Sequence, residues 1–288
     1  MAYTTTSTLD DQVKTAFDQV AYFALRSQPL FEMVADVRST AQSHNGSGVQ
    51  FTFYADMAQA TSALTEATDV TAVALTDSAV TVTLAEYGNA VITTAKVRGT
   101  SFLNVDADAA NIVGYNMADS MDKIVSDVAN GGSNVTHVGQ TSRGAITASD
   151  VYTAAEGRKA VAQLRTRNAP GWENGNYMAI IHPDVSYDLR GDTAVTDVIQ
   201  YQLYQDGAPI RAGSIGTFNG IEYIENPRAG LIADGGASTV DVYQTLICGR
   251  QALAKAFSRA PGFGPEPSIV VGPVTDTLRR FNPIGWYH

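Results

Sequence analysis

The chain has 288 residues, of which 44% are apolar, 17% charged and 9% aromatic, a composition that builds a core and excludes wholesale disorder. Its 19 Lys and Arg against 29 Asp and Glu leave a net charge of −10, the wrong sign for a protein that grips phosphates by releasing counterions. The single Cys248 excludes an internal disulfide or a thiolate metal cage, so a metal site would need carboxylates and the four histidines, and one cysteine fits a reducing cytoplasm. At about 100 to 200 residues per domain, the length holds two compact units or one large one.

The first residues, Met1 to Thr8, carry neither a positive n-region nor an apolar h-region, and no window approaches the ~20 apolar residues of a membrane span. A soluble cytoplasmic product is expected. Asn45-Gly46-Ser47 and Asn134-Val135-Thr136 match a glycosylation sequon but read as turns without a secretion signal. Thr8 then caps an amphipathic helix running to about Ser27, with Leu9, Val13, Phe17 and Val20 at helical spacing. Pro29 stops it, and Thr40 to Gly48 reads as a hinge of small polar residues.

From Val49 to Thr94 the texture is strand-like: Gln50 to Tyr54, Val70 to Leu75 and Val80 to Leu84 alternate and are rich in β-branched residues. The segment predicts a long hairpin. Its apolar side chains are mostly Ala, Val and Thr, too little area to offset roughly 1–2 kcal/mol per ordered backbone residue, so the hairpin needs a partner surface. Between Ser39 and Ala95 there is no Lys or Arg, but there are Asp56, Glu66, Asp69, Asp77 and Glu86.

The strongest periodicity follows. Val105, Ala109, Ile112, Val113, Met117, Met121, Ile124, Val125 and Val128 recur every three or four residues behind the cap Asn104, predicting one helix of roughly 37 Å at 1.5 Å per residue. It ends at Asn130-Gly131-Gly132. After a Gly, Ser and Thr loop, Thr147 or Ser149 caps a helix through Arg167. Tyr177 to Ile181 reads as a buried strand, Asp184 to Leu189 and Val195 to Tyr204 as helices, and Ile221 to Glu225 as a half-exposed strand. Val240 to Ile247 and Ser268 to Val271 add strands, separated by a predicted helix near Arg250 to Ala256, and a Gly-Pro cluster at 261 to 267 marks a turn.

Catalytic signatures do not hold up. The histidines His44, His137, His182 and His288 lack metal-pair spacing, and His182-Pro183-Asp184 reads as a strand exit with Pro183 opening a helix. Ala212-Gly213-Ser214-Ile215-Gly216 approaches a serine-hydrolase elbow, yet that motif requires a following helix and a strand follows here. Gly262-Phe263-Gly264 lacks the third glycine of a dinucleotide loop, and no P-loop is present. Carboxylate pairs such as Asp10/Asp11 and Glu222/Glu225 read as solvated charge. No catalytic residue, cofactor or metal is expected from these residues.

The order of parts resembles the major capsid proteins of tailed bacteriophages, the Johnson or HK-97-type fold. The stretches carrying the resemblance are Leu64-Thr65-Glu66 and Leu84 to Val91 in the loop, and His182 to Leu189 after the central strand. Gly213 to Glu222 leading to Glu225-Asn226-Pro227-Arg228, and Val242 to Ala252, complete them. The resemblance covers nearly the whole chain.

It implies an α+β subunit divided into an N-terminal arm at 1–48, an extended loop at 49–98 and a peripheral domain with a spine helix at 99–147. An axial domain follows at 148–239, with return strands and a helix at 240–288. It further implies a structural, non-enzymatic protein forming hexamers and pentamers of an icosahedral virion shell around double-stranded DNA, without specific recognition of that DNA, assembled in the host cytoplasm. Portal, scaffolding and decoration proteins are implied as partners and a membrane is not. With only about 48 residues ahead of the loop, a separate scaffold, or none, is expected.

An acidic loop needs a basic receptor. The sequence offers Arg143, Arg158, Lys159, Arg165 and Arg167, alongside Lys14, Arg26 and Arg38. The loop holds no lysine for an isopeptide cross-link, Lys96 lying at its hinge end, so non-covalent contacts, the aromatics Phe281, Trp286 and Tyr287 among them, or a decoration protein are expected to hold the shell. An encapsulin-like nanocompartment, which would share the fold, and a soluble hydrolase built on Ser214 stay open as alternatives.

Overall fold

The structure is a computed structural model that describes residues 26–39, 48–101, 104–172, 175–192, 214–257, 268–272 and 276–288. In chain order, a 3-10 turn at Phe31–Val34 precedes strands β1 (Ala35–Ser39), β2 (Gly48–Tyr54), β3 (Asp77–Thr83) and β4 (Gly88–Thr94), then helices α1 (Ala95–Thr100), α2 (Val105–Asn130) and α3 (Ala154–Thr166). Strand β5 (Tyr177–Ile181), helix α4 (Pro183–Gly191), β6 (Ser214–Phe218), β7 (Ile221–Glu225), β8 (Leu231–Ile232), β9 (Val242–Tyr243), β10 (Leu246–Cys248), β11 (Leu253–Phe257), β12 (Ser268–Val271) and β13 (Phe281–Tyr287) follow.

Helix α2 runs for 26 residues, about 39 Å at 1.5 Å per residue. Asn104 caps it by accepting from the Ala107 N–H at 3.4 Å, with Asp106 and Asp108 in the first turn, where the helix dipole favours acids. One stripe, Ala109, Val113 and Met121, packs with Ile284, Trp286 and Phe257. Ile284 and Trp286 come from β13, the middle strand of the antiparallel sheet β12-β13-β4. Trp286 donates its indole N–H to Asn116 on α2 at 2.8 Å and is 5% exposed. This aromatic therefore belongs to the subunit core, correcting its expected place among shell contacts.

A second layer is the sheet β10-β5-β7-β6, in which β5 and β7 run parallel and the other pairs antiparallel. Tyr177, Ala179, Ile181, Ile221 and Tyr223 meet Ala154 and Val161 of α3 and Val185 and Leu189 of α4 in its core. Pro183 stands at the first position of α4, and His182 Nδ1 caps it by accepting from the Asp184 N–H at 3.2 Å, as the X-Pro step predicts. A third cluster, Phe31, Val34, Val125, Ile180 and Cys248, joins the N-terminal turn and α2 to the second sheet.

Strands β2 and β3 form a separate antiparallel hairpin from Gly48↔Thr83 to Tyr54↔Asp77, closed by an irregular connection at 55–76. The expected hairpin is real but shorter. The expected strand at Val70 to Leu75 is irregular, and β4 leaves the hairpin to pair with β13, after which α1 opens on a Thr94 cap. The helix expected near Arg250 to Ala256, and with it the helix placed within 240–288, is corrected: Leu253–Phe257 is strand β11, paired in parallel with β1. Helix propensity there yields to tertiary pairing. The predicted helices at Thr8 to Ser27 (through residue 25) and Val195 to Tyr204, the hinge through residue 47, the turn at 261–267 and Lys14 lie outside the described residues.

Candidate functional site

Among the described residues no group of three or more His, Cys, Asp and Glu could hold a metal. The hydrolase geometry is also missing. Ser214 opens β6, and the chain turns through Asn219 (φ 53°) and Gly220 (φ 78°) into β7. That is a two-residue hairpin turn requiring positive φ at both positions, not a strand-to-helix elbow. Burial alone pushes the Cys248 thiol up to about 12, which keeps it an inert core thiol. Tyr243 is pushed up to about 12, first by donating to Asp184 Oδ2 at 2.5 Å, and His182 stacks on its ring at 4.7 Å.

What the subunit does present is surface. In the β2–β3 hairpin, directly opposed residues share a face: Val49, Phe51 and Phe53 lie opposite Val82, Val80 and Ser78 on one side, and Gln50, Thr52 and Tyr54 lie opposite Thr81, Ala79 and Asp77 on the other. One side is apolar and the other largely polar. Phe53 (56%) and Val80 (57%) are exposed in the isolated subunit, as are Met57, Leu64, Val70, Val73 and Leu75 in the connection. This is the weak hairpin the composition predicts, without a core of its own.

All five hairpin acids, Asp56, Glu66, Asp69, Asp77 and Glu86, are exposed. Two have local roles: Asp69 accepts from the Val70 N–H at 2.8 Å, and Glu86 is hydrogen-bonded to the Tyr287 hydroxyl, whose pKa is raised by burial first and by that carboxylate next. Of the basic residues, Arg143 lies in a 3-10 turn and Arg158, Lys159 and Arg165 lie exposed on α3. Lys159 pairs with Glu156 at 3.4 Å, while Arg167, just past α3, donates to Asn134 Oδ1 at 2.7 Å. Arg26 is taken up by its own α2, donating to Asn111 Oδ1 at 3.0 Å and lying over the Tyr115 ring at 4.6 Å. Arg38 is on β1, its side chain outside the described set.

A buried polar junction goes unforeseen in the sequence. Asp122, fully buried on α2, accepts from the N–H groups of Phe31 at 2.6 Å and Glu32 at 3.3 Å. Its Oδ2 is 3.4 Å from Arg228 Nε, and Arg228 also pairs with Asp119 and donates to the Asp119 carbonyl at 3.2 Å. Asn226 Oδ1 accepts from the Arg228 N–H at 2.9 Å and turns this segment. One carboxylate thus ties the N-terminal turn, α2 and the exit of β7 together. The only sequence signal is an acid one step from the apolar stripe at Met121 and Val125.

A family model described as phage capsid protein matches residues 5–288. The chain belongs to this phage capsid family. The capsid of Ralstonia phage GP4 is similar at TM-score 0.73 and 13% identity, covering 99% of this chain and 92% of that one. A chain of the head structure of Helicobacter pylori bacteriophage KHP40 is similar at TM-score 0.70 and 13% identity, covering 100% and 90%, and the capsid of Cyanophage Pam1 at TM-score 0.68 and 14% identity, covering 96% and 91%. No curated protein sequence matches.

At these identities the structures establish the fold, which is that of the HK-97-type capsid subunit, α+β as expected. The family establishes a structural capsid protein of the virion that self-associates into a shell. An encapsulin-like shell is not favoured. No helix among the described residues of this capsid chain is long and apolar enough to cross a membrane.

Proposed function

We propose that this chain is the major capsid protein of a tailed phage, building hexamers and pentamers of an icosahedral head around double-stranded DNA that it encloses without sequence-specific contacts. The observation that carries the reading is the exposed β2–β3 hairpin with its wide acidic connection, set on a subunit whose family match spans residues 5–288. A net charge of −10 suits a container that does not hold tightly to its contents.

In this reading residues 1–48 form an arm, 49–98 the extended loop, 99–147 a peripheral domain around α2, 148–239 an axial domain, and 240–288 return to complete both. The acids Asp56, Glu66, Asp69 and Asp77 face basic groups of a neighbouring copy, with Arg143, Arg158, Lys159 and Arg165 as receptors. Lys14 and Arg38 supplement them. Glu86, Arg26 and Arg167 act mainly within their own subunit, because each is held to a residue distant in the chain, whereas the bonds of Lys159 and Asp69 are local ones to near neighbours in sequence. A portal is a further partner in this reading, and any scaffold or decoration protein is a separate chain.

Electron microscopy of particles formed by the chain, with a nuclease-protection assay on heads from infected cells, tests the reading. Large icosahedral shells with protected DNA are the expected result. Small shells free of nucleic acid would point to a protein compartment, and a monodisperse small species would refute assembly.

A further inference from the structure

Leu84 to Tyr87 lead from the hairpin strand β3 into β4, and the first rung that ties this link to the subunit is made by Tyr87 and His288. The Tyr87 N–H donates to the His288 carbonyl at 2.8 Å, and the His288 N–H donates to the Tyr87 carbonyl at 2.9 Å. The rung continues the β13–β4 register one step past Tyr287↔Gly88. Among the described residues β2 and β3 pair only with each other, so this rung is the root of the hairpin on its C-terminal side.

The His288 ring seats that rung. Alternation puts it on the side of β13 that carries Ile284 and Trp286, and it meets the buried ring of Phe257 on β11 at 4.8 Å and 77°. A cation already occupies the place. Lys255, on the same face of β11, lies over the Phe257 ring at 4.6 Å, is 11% exposed in its side chain and pairs with Glu32 of the N-terminal turn. The other nearby charges are the histidine's own carboxylate and Glu86, which alternates to the opposite face and bonds the Tyr287 hydroxyl. Asp36 and Arg38 of β1 stand beside Ala254 and Ala256, on the other face of the β1–β11 pair. Burial first, and Lys255 next, hold the imidazole below its ordinary value, with Glu32 opposing them.

We propose that His288 is an acid-sensitive clasp on the root of the hairpin. As neutral imidazole it rests on Phe257 and keeps the Tyr87 rung closed; as imidazolium it would stand as a second cation beside Lys255, leaves the slot, and lets the rung open. The hairpin then turns on Leu84 to Tyr87 while α2 and the sheet β12-β13-β4 stay packed. The closed form binds the proton less tightly than the open form. Closure is therefore fully stabilised above the open-form pKa and is lost as pH falls through the closed-form one. The device needs no second copy of the chain, so it stands or falls apart from the shell reading.

Hydrogen exchange at the Tyr87 amide of the unassembled full chain tests the clasp, with protection taken relative to the unstructured rate at each pH. Between about pH 7.5 and pH 5, protection should fall about tenfold for each unit that separates the closed-form from the open-form value. Amides in the middle of α2, such as Val113, should hold steady. His288→Phe keeps a ring against Phe257 without a titrating group, His288→Gln keeps a neutral polar one, and both should flatten the profile at Tyr87. Lys255→Met removes the neighbouring cation and should shrink the fall without abolishing it. A flat wild-type profile, or an equal fall at Tyr87 and Val113, overturns the clasp. A fall that persists in both His288 variants assigns the effect to carboxylates such as Glu86 and overturns it as well.

Discussion

Removing the Asp122 carboxylate should detach the N-terminal turn from the subunit. In Asp122→Ala the N–H groups of Phe31 and Glu32 lose their acceptor, and Arg228, 16% exposed in its side chain, keeps only Asp119 as an ionic partner among the described residues. Breaking one side of a buried ion pair typically costs ~3–5 kcal/mol, and the two orphaned donors lie within that range rather than adding to it in full. Asp122→Asn keeps an amide oxygen for the Phe31 N–H and removes the cost of burying a charge along with the ion pair, so a much smaller loss, about 0–1 kcal/mol, is expected. Urea unfolding of unassembled subunits measures both, and hydrogen exchange at Phe31 to Val34 localises the effect. A midpoint for Asp122→Ala within error of wild type would show that the junction is incidental, and equal losses for the Ala and Asn variants would show that the acceptor geometry does not matter.

The same carboxyl sets a pH dependence. Burial raises its pKa above the ordinary carboxylate value, partly opposed by the backbone donors at Phe31 and Glu32. A raised native pKa means that the folded state binds the proton more tightly than the unfolded state. Its contribution is therefore fully present below the unfolded pKa and is lost as pH rises through the native one. Relative to Asp122→Asn, wild-type stability should increase on acidification through the carboxylate range. A constant difference across that range, or one of opposite slope, contradicts burial as the dominant cause.

Amide exchange across 48–83 should be fast in the isolated subunit and slow in shells, whereas α2 is protected in both; a hairpin as protected as α2 in free subunits would place it in the subunit core. Glu66→Lys with Asp56→Lys should lower shell stability and flatten its salt dependence, each exposed pair counting for ~0–1 kcal/mol but repeated over many copies; Glu86 is left out because it serves Tyr287 within the subunit. Boiled particles should run as one band near 30.5 kDa, because the hairpin holds no lysine and Lys96 sits on α1; a heat-resistant ladder would refute non-covalent cohesion. Gly157→Ala should destabilise by ~1–3 kcal/mol, since the new methyl would meet Tyr223 Oη at 2.7 Å and Tyr152 Oη at 3.0 Å; a gain of ~1 kcal/mol, as helix propensity alone gives, would mean that the tyrosines move aside.

Elements whose signal is local are legible in the amino-acid sequence alone. Helix α2 announces itself because its 26 residues repeat one stripe between a cap and a glycine, and α4 because Pro183 constrains both itself and His182. Strands β7 and β12 coincide with their predicted runs. What fails depends on partners distant in the chain. Gln251 to Ala256 carries residues that favour a helix, yet β11 pairs with β1 near the other end of the described chain. The run Val70 to Leu75 is as β-branched as β3 but lacks a partner strand, so it stays irregular. Strand β4 has the texture of the hairpin and reads as part of it, while its partner is the last strand of the chain.

Charge follows the same division. Its sign along the hairpin is local and readable, but which charges are already engaged is not. Arg26 lies on Tyr115, Arg167 on Asn134 and Glu86 on Tyr287, each across a long stretch of sequence, and Asp122 looks like one more acid on an amphipathic helix until Phe31 and Arg228 close over it. The acids of the connection at 55–76 remain exposed on a segment with too little apolar area to fold on its own. Charges on such a segment gain a fixed geometry only when a second surface orders the chain that carries them, which is why their effect should be read in assembled particles and not in the stability of the free subunit.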